Sequence, residues 1–178
     1  SDAQGMFSVH LCRIRVRFMI VDELIVTFIN SLDTRNSEIL ETIESEARAA
    51  DVPIIRREMQ SFLKVILLLK RPVRVLEVGT AVGFSALLMS EYVPEECRIT
   101  TIENYEKRIP IARENFRRAG KEKHIILIEG DAAEVLKTMD GPYDFIFMDA
   151  AKGQYIHYLP DILRLLPPGG CLVSDNVM

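Results

Sequence analysis

The apolar positions of this chain change rhythm part-way along. Up to residue 70 they recur every three or four residues, the period of a helix packed on one side. Met19–Leu32 and Ser37–Ala50 read as amphipathic helices; in the second, Ile39, Ile43 and Ala47 share a face while Glu38, Glu41 and Glu44 lie elsewhere. Asp51-Val52-Pro53 breaks the pattern, because the residue before a proline disfavours helix. Arg56–Lys70 is a third helix, with Met59, Phe62, Leu63, Ile66 and Leu69 as its apolar stripe and Pro72 as its stop.

Beyond Pro72, short apolar runs alternate with helical stretches. Val73–Val78, Cys97–Ile102, His124–Glu129, Tyr143–Met148 and Gly169–Ser174 read as strands. Between them lie helices over Phe84–Tyr92, Glu106–Ala119, Ala132–Met139 and Tyr155–Leu166, the last broken by Pro160 or starting after it. This alternation predicts an α/β fold, a doubly wound, mostly parallel sheet with both faces covered and right-handed crossovers. The fifth strand would be an open edge, a site for unwanted pairing.

Composition narrows the picture only slightly. The chain has 178 residues, 48% hydrophobic and 27% charged, with a net charge of −4. That suits one globular domain and argues against bulk electrostatic attraction to nucleic acid. Cys12, Cys97 and Cys171 suggest neither a disulfide framework nor a zinc site, and fit a reducing, cytoplasmic setting. No apolar run reaches the roughly 18–20 residues a membrane span needs. Residues 1–18, with "SDAQG" and the alternating "RIRVRF", read as a leader preceding the domain of residues 19–178.

The candidate chemistry starts at "VLEVGTAVGFS", residues 75–85. A strand there ends in Glu77, and Gly79 and Gly83 follow. Ligands of such sheets bind at the carboxyl ends of the strands. The GxxxG spacing departs from the GxGxxG dinucleotide fingerprint, and Gly83-Phe84-Ser85 departs from the P-loop. The second strand ends at Glu103, 20 residues beyond Gly83, where a carboxylate can accept both ribose hydroxyls of an adenosine. Asp131, Asp149 and the pair Asp175-Asn176 follow the next three strands. Polar groups thus sit at five successive strand ends, which converge on one rim. Asp131 suits equally well a helix N-cap.

With these residues assembled, the chain resembles the metal-dependent S-adenosylmethionine O-methyltransferases, the group of catechol and caffeoyl-CoA O-methyltransferases. Within it the pattern is most similar to the bacterial tRNA 5-hydroxyuridine methyltransferases. "VPII", "EVGTAVGFSA", "TIENYEKR", "GDA", "DAAKGQY" and "DNV" match in order and spacing. The resemblance implies a Rossmann-like class I methyltransferase fold. It implies that Ile54 and Ile55 line the methionine end of S-adenosylmethionine, and that Glu77, Gly79, Gly83 and Ser85 hold its amino-acid part and the turn. Glu103 would take the ribose, and Asp131 with Ala132 the adenine. Asp149, Asp175 and Asn176 would bind a divalent cation, Mg²⁺ first, with Asp149 beside the cofactor too. Lys152 would be the general base.

Independently, two carboxylates and an amide suit a hard cation. Such a cation chelates two neighbouring oxygens, as in a catechol or a 5-hydroxyuracil. The expected acceptor is 5-hydroxyuridine in tRNA, with a small catechol-like molecule as the other reading. A cofactor-binding but inactive dimeric domain is a third. The resemblance also implies a homodimer and two further strands after the fifth, which this sequence lacks. The basic residues from Lys107 to Lys123, interleaved with glutamates, would meet phosphates or simply water.

Overall fold

The computed structural model describes residues 23–32, 34–150 and 152–175. The leader expectation for residues 1–18, the start of the first helix at residues 19–22, and Asn176 lie outside them. The chain divides after Asp33 into two compact units. The first contributes one described helix, α1 (Glu23–Ser31), whose last turn is closed by the Ser31 hydroxyl donating to the Phe28 carbonyl at 2.6 Å.

The second unit runs α2 (Glu38–Ala49), α3 (Arg57–Lys70), β1 (Arg74–Val78), α4 (Phe84–Glu91), β2 (Arg98–Glu103), α5 (Ile109–Arg118), β3 (Ile125–Glu129), α6 (Ala132–Thr138), β4 (Phe145–Met148), α7 (Tyr155–Leu165) and β5 (Cys171–Ser174). All four strand pairings are parallel, in the order β3-β2-β1-β4-β5. This is the doubly wound, Rossmann-like sheet expected from the alternation. The order reverses beside β1, which places the β1 and β4 tips at the switch point where such sheets bind ligands.

Strand parity sorts the core into two layers, since alternate side chains face opposite sides. Val75, Ile99, Phe145 and Phe147 pack with Leu40, Leu63, Leu67, Phe84, Leu88 and Phe116, from α2 to α5. Leu76, Val78, Ile102, Ile146 and Met148 pack with Leu136, Tyr158, Ile162 and Leu165 of α6 and α7. The central strands are buried on both faces, which explains their unbroken apolar runs. Helix α4 is buried from Phe84 to Ser90. Its lack of amphipathic pattern follows from that.

Most element ends fall within one or two residues of expectation, and two larger departures each involve a proline. Helix α5 begins at Ile109, three residues later than expected, with Pro110 near its start. A proline this early needs no donor, but further inside a helix its ring clashes with the carbonyl four residues back. Residues 106–108 therefore form a turn. Conversely, α7 runs unbroken through Pro160. Ile156, whose carbonyl loses its helical partner there, is exposed, and the apolar face of Tyr158, Ile162 and Leu165 holds the helix on the sheet.

Candidate functional site

Five parallel strands bring their carboxyl ends to one rim, and a cavity of about 360 Å³ opens there. Ile54, Ile55, Gly79, Glu103, Ala132, Asp149 and Asp175 all line it. Residues spread over more than a hundred positions are thus gathered at one place by topology. Ser85 lines a narrow cleft that shares Ile54, Ile55, Gly79 and Asp149 with the cavity.

The glycine turn is shaped by close approach. Gly79 has φ +103°, and a Cβ there would lie 2.2 Å from the carbonyl oxygen of Asp149. Only glycine lets the β1 tip pass that close to the β4 tip. Gly83 has φ +83°, and a Cβ would meet the Phe116 ring at 2.5 Å. Between them Ala81 takes a left-handed conformation, φ 48°. The backbone N–H groups of Gly79 and Thr80 both donate to the Ile102 carbonyl, at 3.1 and 3.2 Å, tying the turn to β2.

Glu103 is held by the backbone. Its Oε2 accepts from Ala81 N–H at 2.7 Å, and its Oε1 accepts from Asn104 and Tyr105 N–H at 3.1 and 2.9 Å. The carboxylate thus bridges the glycine turn and the β2 tip, and keeps lone pairs for hydroxyl donors.

Glu77 lies beneath the cavity floor and is fully buried. Parity points it toward α4, where the Thr101 hydroxyl donates to Oε2 at 2.5 Å and Thr80 lies 2.6 Å from Thr101. Oε1 is buried with no partner of hydrogen-bond geometry. Burial pushes the Glu77 pKa up to about 8; the nearby Ser85 and Thr101 hydroxyls oppose the shift, and the charges of Asp149 and Glu103 add to it.

Asp131 is exposed and does not line the cavity. Its Oδ1 accepts from Ala133 N–H at 2.8 Å and caps α6. The capping role weighed from the sequence is thus present in the structure. Asp149 and Asp175 meet around Tyr155. The Tyr155 hydroxyl lies 3.2 Å from the Met148 carbonyl and 3.0 Å from that of Asp175, clasping the β4 and β5 tips. Burial raises the Tyr155 pKa, and the charges of Asp149 and Asp175 raise it further. The Lys152 backbone lies in a single 3₁₀ turn, Lys152–Gln154; its side chain, like Asn176, is outside the described residues. Among the described residues no group of three His, Cys, Asp or Glu converges in metal-binding fashion.

Sequence reading missed Pro53, Asn104, Arg108 and Tyr158 in the cavity wall. Arg108 faces it because the turn before α5, set by Pro110, precedes the helix. Tyr158 follows Tyr155 by nearly one helical turn, a spacing that could have pointed to it. Glu103, Asp149 and Asp175 leave the cavity wall negative against Arg108. The basic helix α5, by contrast, is largely neutralised: Arg113 pairs with Glu129, Arg117 with Glu114 and Arg118 with Glu46.

Residues 30–178 match the profile of the family described as O-methyltransferase. The chain belongs to this O-methyltransferase family. It is 35% identical over 121 residues to a catechol O-methyltransferase of Niastella koreensis, covering 66% of this chain and 55% of the relative. It is 35% identical to caffeoyl-CoA O-methyltransferase 2 of Populus trichocarpa, covering 66% and 50%. The chain thus spans about half the length of the curated relatives it matches. Among solved structures, an O-methyltransferase from Bacillus cereus in complex with SAH superposes with TM-score 0.79 at 26% identity, covering 86% of this chain and 72% of that one. An SAH-bound Podospora anserina methyltransferase gives 0.80 at 30%, covering 86% and 68%. No described helix of this family member is long and apolar enough to cross a membrane.

Proposed function

We propose that this chain binds S-adenosylmethionine in the rim cavity and passes its methyl group to a hydroxyl oxygen of an acceptor with two neighbouring oxygens. The observation that carries this reading is the negative wall. Glu103, Asp149 and Asp175 line the cavity. A ligand carrying a sulfonium and an ammonium is attracted to such a wall. The remaining features fit the same ligand. Glu103 is preset for a ribose, Gly79 leaves its turn no side chain in the way, and Pro53, Ile54 and Ile55 form an apolar strip.

The bound cofactor supplies an electrophilic methyl group on sulfur. The residues then have mainly to align acceptor oxygen, carbon and sulfur and to keep water out. Asp149 and Asp175 are hard oxygen donors in one cavity. With Asn176 they would hold a divalent cation, Mg²⁺ first, which would favour the ionised acceptor hydroxyl. Lys152 is the group we assign to take the acceptor's proton.

Of the two acceptor classes, a small vicinal diol is supported by the catechol and caffeoyl-CoA relatives and by the ion-paired face of α5. The tRNA 5-hydroxyuridine reading rests on the motif resemblance. Labelled S-adenosylmethionine should be offered with a catechol or with hydroxyuridine-bearing tRNA, with and without chelator. Methylation of the catechol that chelator abolishes is expected. Transfer to tRNA alone would reverse the acceptor, and absence of cofactor binding by calorimetry would sink the whole reading.

A further inference from the structure

One wall of the cavity is a strap without regular structure, residues 52–56, from which Pro53, Ile54 and Ile55 reach the site. Its ends are anchored by Val52 N–H donating to the Ala47 carbonyl at 2.9 Å and Gln60 N–H donating to the Arg56 carbonyl at 2.9 Å. Between those anchors, a side chain holds it: the Gln60 amide Nε2 donates to the Ile55 carbonyl at 3.1 Å. Gln60 sits on α3, is only 1% exposed and does not itself line the cavity. Its Oε1 accepts from Asn36 Nδ2 at 2.8 Å, and Asn36 N–H in turn donates to Glu41 Oε1 of α2 at 3.2 Å. The Ile55 carbonyl can only accept, so Nε2 is the end of the Gln60 amide that points at it, and the Asn36 donor then satisfies Oε1 at the other end.

We propose that Gln60 is a positioning residue for the cofactor: it clamps the Pro53–Ile55 wall at the spacing the ligand needs. This rests on the cavity being the S-adenosylmethionine site. The physical reason is preorganisation. A strap with few bonds of its own samples many conformations, and ordering it on binding would weaken affinity. A buried amide with both ends satisfied removes that freedom beforehand. The polar layer between α2 and α3 thereby becomes part of the binding site, although it touches no ligand.

The test compares SAH affinity by calorimetry with Tm and with hydrogen exchange at residues 52–56. In Gln60→Leu, SAH should bind roughly tenfold or more weakly and the strap amides should exchange faster. Leu63→Val, a core change on the same helix, should lower Tm while leaving SAH affinity within about twofold. Asn36→Ala, which removes the donor to Gln60 Oε1 and so loosens the amide's hold without touching an apolar core residue, should give a smaller loss of the same kind and serves if Gln60→Leu does not fold. Unchanged affinity in both clamp variants, or an equal loss in Leu63→Val, overturns the clamp. If the wild type binds no SAH, the cofactor reading fails instead; strap exchange then judges the clamp alone, and unchanged rates overturn it.

Discussion

On the β1–β2 side of the rim, the groups that face the cavity are fixed by backbone. Glu103 accepts three N–H bonds, the glycine turn is tied to Ile102, and Gly79 touches the β4 tip with no room for a methyl group. On the β4–β5 side, Asp149 and Asp175 stand at the tips of two four-residue strands, one of them an edge. There the tips are joined by Asp175 N–H donating to the Met148 carbonyl and by the Tyr155 hydroxyl. The difference follows from position. Among the described strands β5 pairs with β4 alone, so its tip has a backbone neighbour on one side, whereas the tips of β1, β2 and β4 have one on each side. The half assigned to the cofactor has its carboxylate held by backbone N–H groups, and the half assigned to cation and acceptor is joined by backbone bonds at the strand tips and by the Tyr155 hydroxyl.

The sharpest way to break the cofactor half is Gly79→Ala. The clash with the Asp149 carbonyl, added to a strained φ, should cost about 3 kcal/mol or more by urea denaturation and abolish SAH binding. Glu103→Gln should keep the fold but weaken SAH by roughly 10- to 100-fold in calorimetry, since charge-assisted bonds are worth about 1.5–3 kcal/mol; divalent-cation binding should be unaffected. Asp175→Asn is the mirror experiment. Mn²⁺ affinity should fall at least about tenfold while SAH binding changes little. Equal effects of both variants on both ligands would erase the distinction between the halves.

Glu77 belongs to the cofactor half but is its least comfortable member. Its folded pKa is raised to about 8 from an ordinary value of 4.5. The folded state then holds a proton that the unfolded state has released, so this group's contribution to stability falls as pH rises from about 4.5 to 8 and levels off above. Glu77→Gln should flatten that part of the urea-midpoint profile and gain most over wild type near pH 8. A parallel profile would show that Glu77 is not the group titrating. The smallest effect is expected from Asp131→Ala, a loss of about 1 kcal/mol for a helix cap. SAH affinity unchanged alongside it would confine Asp131 to capping.

Much of the rim was legible because it is written in residues that punctuate strands. Glu103, Asp149 and Asp175 each close a strand, and a parallel sheet sends all such ends to one side. Arg108 and Gln60 were not legible in the same way. Arg108 reads as one more charge on a basic helix until Pro110 delays the helix start. Gln60 reads as a polar residue on an amphipathic helix until α2 and the strap close over it.

By itself, the sequence determined the element order, the parallel sheet and the family, because periodicity and strand-end motifs are local and survive without coordinates. Only the tertiary structure decided which acid is buried and which is held by the backbone. It also decided that Asp131 caps a helix and that the basic helix spends its charge on carboxylates. Those outcomes depend on what packs across each side chain, and neighbours from distant segments leave no mark on the spacing of residues along the chain.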